Sequence, residues 1–162
     1  MADLVINRSK GRVVELANRV NLNDPANSIF VVALIAATGV ELDSVHIDKD
    51  DFAALVSGAT NFATNTGSTP KTLDNATGGI VVTTDDTNDR TDIDFPDQTW
   101  TAVANDGTGA ISDLVTGYKP DSTAGTLADS SVVPMTWHDF AVTPDGSDIV
   151  AQVNAAGFFR AA

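Results

Sequence analysis

The chain has 162 residues, no cysteine and a formal charge of −13 from 22 acidic and 9 basic side chains. That length suits one domain able to bury a core without disulfides or metal, and the absence of thiols excludes a disulfide framework, a thiolate zinc site and a cysteine nucleophile. A hydrophobic fraction of 43% is too high for a disordered chain; the longest strongly apolar run, 29–37, falls far short of a membrane span, and the acidity disfavours nucleic acid and anionic lipid as partners.

Of the acidic residues 20 are Asp, and 19 Thr and 12 Gly accompany them. Asp favours caps and turns where Glu favours helix interiors, so the composition predicts short strands joined by turns. The charge is uneven. Residues 1–22 carry Arg8, Lys10, Arg12 and Arg19 against Asp3 and Glu15, a net +2, and residues 23–162 carry −15. No apolar core region separates these cations from Asp24-Pro25, so a secretory signal is not expected. The segment reads as a basic N-terminal arm reaching an acidic surface on a neighbouring copy or a larger assembly. It reads equally as a strand or helix packed on its own domain through Val5, Ile6, Val13, Val14, Leu16 and Val20.

In chain order, Asp24 as cap, Pro25 at the first helical position and Gly39 as terminator predict a helix over 24–39 that is apolar all round and therefore buried. The β-branched residues within 29–37 keep a strand open. A second short helix is expected over 51–57, capped by Asp50 and closed by Gly58. A loop-rich stretch follows to Gly79, with 69–73 its only strand-like piece. Strands are then predicted over 79–84, 91–95, 98–104, 111–118, 132–140 and 149–159. The expectation is a single α+β domain over 23–162: one or two short buried helices, then a mainly antiparallel β-sheet or sandwich, with residues 1–22 as the arm.

Candidate chemistry is sparse. His138 precedes Asp139, but adjacent strand residues point to opposite faces, so Asp139 is poorly placed to orient the ring. The acidic run Asp85–Asp94 offers hard oxygen ligands, yet it lacks a Gly at the sixth position and a Glu at the twelfth of a helix-flanked calcium loop. Asx turns explain it as well. Trp100, Tyr118 and Trp137 fit either a sugar-stacking platform or the core. No phosphate loop, dinucleotide fingerprint, zinc spacing or nucleophile elbow occurs. No catalytic residue, cofactor or metal ligand is therefore assigned, and an enzyme is not expected.

Three groups of segments carry a resemblance: Lys10-Gly11-Arg12-Val13-Val14-Glu15-Leu16 with Asn23-Asp24-Pro25-Ala26-Asn27-Ser28; Asp85-Asp86-Thr87-Asn88-Asp89-Arg90 with Phe95-Pro96-Asp97-Gln98-Thr99-Trp100-Thr101; and 138–148 with Ala156-Gly157-Phe158-Phe159-Arg160-Ala161. Together they resemble a family of small virion structural proteins encoded near the head genes of tailed bacteriophages. The resemblance implies a phage-head protein, present in host cytoplasm during assembly and in the virion afterwards. A capsid decoration, or cement, protein fits best, with the major capsid protein and copies of itself, as trimer or dimer, for partners. Arg8, Lys10, Arg12 and Arg19 of the arm and Phe158, Phe159 and Arg160 at the C-terminus are then the expected partner-binding residues. A head–tail connector, neck or tail component is the nearest alternative, and a carbohydrate-binding receptor module is the alternative of another class.

Overall fold

The apolar run 29–37 forms a β-strand at the centre of the protein. In the computed structural model, which describes residues 3–76, 79–123, 125–127 and 130–162, strand β2 (Ile29–Ala36) is buried at every position. Its side chains alternate between two apolar layers: Phe30, Val32 and Leu34 enter one, and Ile29, Val31, Ala33 and Ile35 enter the other. The expected helix over 24–39 is thus corrected to a turn, a strand and a second turn. A sheet covered on both faces makes a strand uniformly apolar, which hides its two-residue period and imitates an all-round buried helix. Pro25, expected at a first helical position, follows a cis peptide bond after Asp24. Gly39, expected as a helix terminator, has φ 81° in the turn after β2, where a Cβ would lie 2.6 Å from the Ala59 carbonyl oxygen.

The other elements are β1 (Leu4–Val5), α1 (Val13–Leu22), α2 (Asp43–His46), α3 (Phe52–Leu55), β3 (Lys71–Leu73), β4 (Val81–Asp85), β5 (Arg90–Asp94), β6 (Gln98–Trp100), β7 (Ile111–Lys119), β8 (Val133–Val142), β9 (Ile149–Ala151) and β10 (Phe159–Ala161). A five-stranded sheet runs β1-β8-β7-β2-β3, a three-stranded sheet β10-β5-β4, and β6 pairs with β9. All pairings are antiparallel. The protein is therefore α+β, mostly antiparallel β with few short helices. Among the described residues, no helix is long and apolar enough to cross a membrane.

The two layers differ in what covers them. On one face of the large sheet, α1, β5, Phe95 and Trp100 close over Phe30, Val32, Leu34 and Leu114. On the other, Phe52 and Leu55 of α3, with Ile6 and Val132, close over Val31, Ile35, Val115 and Trp137. Strand β8 carries one residue more than β7 between the pairs Val115–Trp137 and Gly117–Pro134. That bulge reverses the alternation, so Met135 and Trp137, two residues apart, enter opposite layers. Gly117 lies beneath Phe52, whose Cζ would be 2.7 Å from an added Cβ.

The N-terminal segment packs on its own domain. Val13, Leu16, Ala17 and Val20 form the buried stripe of α1, at the spacing an amphipathic helix requires. Asn23 ends the helix in the left-handed region at φ 52°, with the Asp24 N–H reaching back to the Arg19 carbonyl at 2.9 Å. Ile6 donates its N–H to Met135 and Ser9 its hydroxyl to Pro134. The second predicted helix is shortened to α3, with Asp51 in place of Asp50 as the cap, its carboxylate accepting from Ala54 N–H at 2.7 Å. The strand expected over 149–159 is broken at 152–158 into β9 and β10.

Candidate functional site

The cations expected to bind a partner fall into two sets. On the exposed side of α1, Arg12 and Arg19 each place Nε 3.1 Å from the Glu15 carboxylate. These hydrogen bonds, Arg12 first, hold the Glu15 carboxyl below its ordinary value. Arg8 approaches Asp50 at 3.5 Å, both side chains well exposed, and Lys10 is exposed in the turn before α1. At the other terminus, Arg160 donates from Nε to Asp92 at 2.6 Å and from Nη2 to the Ala156 carbonyl at 3.1 Å. Phe159 pairs with Ile93 along β5. Phe158 packs against Phe95 in a tilted pair, ring centroids 4.7 Å apart, and meets Phe30 edge-on at 6.0 Å. All three C-terminal residues therefore have partners within their own chain.

The acidic run Asp85–Asp94 forms the turn and the second strand of the β4–β5 hairpin. Asp85 accepts from the side chain and backbone of Asn88 in the turn, and Arg90 lies between Asp85 and Asp92 at 3.2 and 3.1 Å. Both carboxyls are held below their ordinary values, Asp85 mainly by the Asn88 side chain and Asp92 mainly by Arg160. Among the described residues, no group of three or more His, Asp or Glu is arranged to hold a metal ion.

The three large amphipathic rings lie inside. Trp100 and Trp137 are fully buried and Tyr118 nearly so, so they offer no sugar-stacking surface. Trp100 Nε1 donates to the Thr69 carbonyl at 2.9 Å, and Trp137 Nε1 to Asp113 at 2.9 Å. His138 does not pair with Asp139 through its ring; Nε2 meets Thr136 at 2.8 Å and Nδ1 lies 3.4 Å from the Asp3 carboxylate.

His46, Trp137 and Asp113 form a buried polar cluster that sequence reasoning missed. The His46 ring stacks on Trp137 with centroids 4.0 Å apart, and both His46 and Asp113 have zero exposure. The Thr60 hydroxyl donates to Glu41 at 3.2 Å and so accepts from His46 Nε2 at 2.9 Å. This fixes the proton on Nε2 and leaves Nδ1 with no hydrogen-bond partner among the described residues, as is also the case for Asp113 Oδ2. Burial pushes the His46 pKa down and the Asp113 pKa up. No local motif marks the cluster, because its members come from α2, β7, β8 and the loop before β3.

One cleft, of about 320 Å³, opens where the large sheet meets β6, β9 and the 152–158 segment. Val32, Leu114, Phe95 and Phe158 line it from the core side, and Asp3, His138, Asp139, Gln98, Gln152 and Asn154 supply its polar groups. These features define a mostly antiparallel β-protein with two covered core layers, ion-paired termini and an amphipathic cleft. No family model, curated protein or solved structure matches the chain.

Proposed function

We propose that the chain is a structural, non-enzymatic protein of the tailed-phage virion, and specifically a decoration protein on the outer head lattice. The observation that carries this reading is where the resembling segments sit. Those around α1, the β4–β5 hairpin, β6, the end of β8 and the C-terminal strand gather on one face of the large sheet, supplying Val13, Leu16, Trp100 and Phe158 to a single layer. Their polar residues close turns and ion pairs in the same framework. Segments engaged in this way define a shape, and a shape is what a cementing subunit contributes.

Stabilisation would come from area buried between the subunit and adjacent capsomers, without a chemical step. The acidic body faces solvent. Arg8 and Lys10, at the exposed turn before α1, are the arm cations least engaged within the chain and best placed to meet an acidic shell surface or a second copy. The deciding experiment combines quantitative mass spectrometry of purified virions with the stability of particles assembled without this protein. Hundreds of copies per particle, and earlier bursting of depleted heads on heating or osmotic shock, are expected. A dozen copies would move the protein to the neck or tail, and absence from the particle would overturn the virion reading.

A further inference from the structure

We propose that the segment 41–50, which carries α2, is an acid-released latch on the N-terminal strand, with His46 as its trigger. This inference stands independently of the virion reading. The way the segment is anchored inverts the usual order of burial, in which aliphatic side chains go inside ahead of histidine. Leu42 and Val45 are 72% and 37% exposed, whereas His46 has zero exposure and is the one buried residue among these ten. A single helical turn such as α2 has no stability of its own and depends on its packing. Here that packing rests on a titratable ring, stacked on Trp137 at 4.0 Å and bonded through Nε2 to Thr60 at 2.9 Å.

The same segment holds the start of the chain. The Ile47 carbonyl accepts from the Asn7 N–H at 2.8 Å, the Asp48 carboxylate accepts from the Asn7 side chain at 2.6 Å, and Asp50 lies 3.5 Å from Arg8. Strand β1 pairs with β8 over two residues, Leu4 opposite Trp137 and Val5 opposite Thr136, so it leans on the latch and on the residue that His46 covers. A proton taken up by His46 lands on Nδ1, which has no hydrogen-bond partner among the described residues. The charged groups acting on the ring are Glu41, Asp43 and Lys49 of its own segment and Asp113 of β7; Lys49 is itself 3.8 Å from Glu41. The side chains that touch the ring from β8 and from the loop before β3, Trp137 and Thr60, are neutral. Burial outweighs the three carboxylates and pushes the His46 pKa down. Opening returns the ring to water and to its ordinary pKa of about 6.5, so acid favours the open form. The open form uncovers a face of Trp137 and frees the strand that carries Arg8 and Lys10.

The test is amide exchange of the full-length protein at about pH 7.5 and about pH 5, either side of the ordinary histidine pKa, read as protection factors so that the intrinsic pH dependence of exchange is removed. The hydrogen-bonded amides of Ile6 and Asn7 in the strand segment and of Val45 and Ile47 in the latch are the probes. Their protection should fall together on acidification by about five- to thirtyfold, the upper figure being the limit for an ordinary histidine that titrates in the open form alone. At both pH values it should lie at least about tenfold below that of Ile29–Ala36, the mark of a local opening. His46→Phe keeps a ring on Trp137 and should respond no more than about twofold, whereas Asp113→Asn, which removes the other buried acid, should respond at least as strongly as the native protein. If His46→Phe does not fold, an NMR titration of the His46 ring in the native protein decides instead: a ring midpoint that coincides with the loss of protection supports the latch, and a ring still neutral where protection is already lost overturns it. Protection equal to that of the central strand, loss in one segment without the other, a change below about threefold, or an undiminished response in His46→Phe would also overturn the proposal.

Discussion

Replacing Thr60 by valine keeps the shape of the side chain and removes the hydroxyl that organises the buried histidine. In the folded protein Thr60 Oγ1 accepts from His46 Nε2 at 2.9 Å and from the Glu41 N–H at 3.1 Å, and donates to the Glu41 carboxylate at 3.2 Å. Thr60→Val would leave the His46 N–H buried against a methyl group, which costs about 1–3 kcal/mol, and would remove two part-buried hydrogen bonds worth about 0.5–1.5 kcal/mol each. Since water can reach Glu41, the net loss should be about 2–4 kcal/mol. For a chain of this size that lowers Tm by about 5–15 °C. Urea unfolding followed by tryptophan fluorescence reads it directly, because Trp100 and Trp137 are both fully buried. Thr60→Ser, which keeps the hydroxyl and deletes one methyl, should cost only about 1 kcal/mol. In a His46→Phe background, where the ring still covers Trp137 but has no N–H to satisfy, Thr60→Val should cost clearly less than in the native protein. A loss below about 1 kcal/mol, or equal losses in the two backgrounds, would refute the network.

The same cluster has an opposed pH dependence. The folded-state pKa of His46 lies below the ordinary histidine value of about 6.5, so the unfolded chain takes up the proton first, and the stability His46 contributes above that value is lost as pH falls through it. Asp113, whose folded-state pKa is raised, acts with the other sign: its charged form is penalised as pH rises above the ordinary aspartate value of about 3.9. Urea midpoints should therefore lose part of their decline below about pH 6.5 in His46→Phe, and Asp113→Asn should relatively gain stability at neutral pH over acid; unchanged pH profiles in both would contradict the assignment. Gly117→Ala drives a methyl group into Phe52 and should destabilise by about 1–3 kcal/mol in thermal melts, with neutrality the refuting result. Arg160→Ala, which frees β10 from Asp92 in a partly exposed pair, should cost no more than about 1 kcal/mol globally. It should also speed amide exchange in 159–161, and unaltered exchange there would show that strand pairing alone holds β10.

Much of the strand pattern was legible because turn residues punctuate β-branched and aromatic runs. The hairpin of β4 and β5 shows its Asp/Asn turn, and β7 and β8 show β-branched and aromatic runs between Gly, Pro and Asp. The central strand was misread for a reason that lies outside its own residues. Only the arrival of α1 and β5 on one face, and of α3 and the Val132 segment on the other, makes Ile29–Ala36 apolar throughout. The cleft was equally illegible, since Asp3, Gln98, Asp139 and Phe158 are far apart along the chain and meet only through sheet register.

Composition and charge determined, without any fold, that the protein is an acidic chain rich in turns and strands, with its cations concentrated at the N-terminus, because these quantities follow from residue identity alone. Tertiary structure decided the rest. It turned the basic segment into a helix packed on its own domain, took three aromatic rings from a possible binding surface into the core, and placed an unpartnered histidine nitrogen beside Trp137. Each of these depends on which distant residues come into contact, and long-range contacts are set by the joint packing of all elements, which no local window contains.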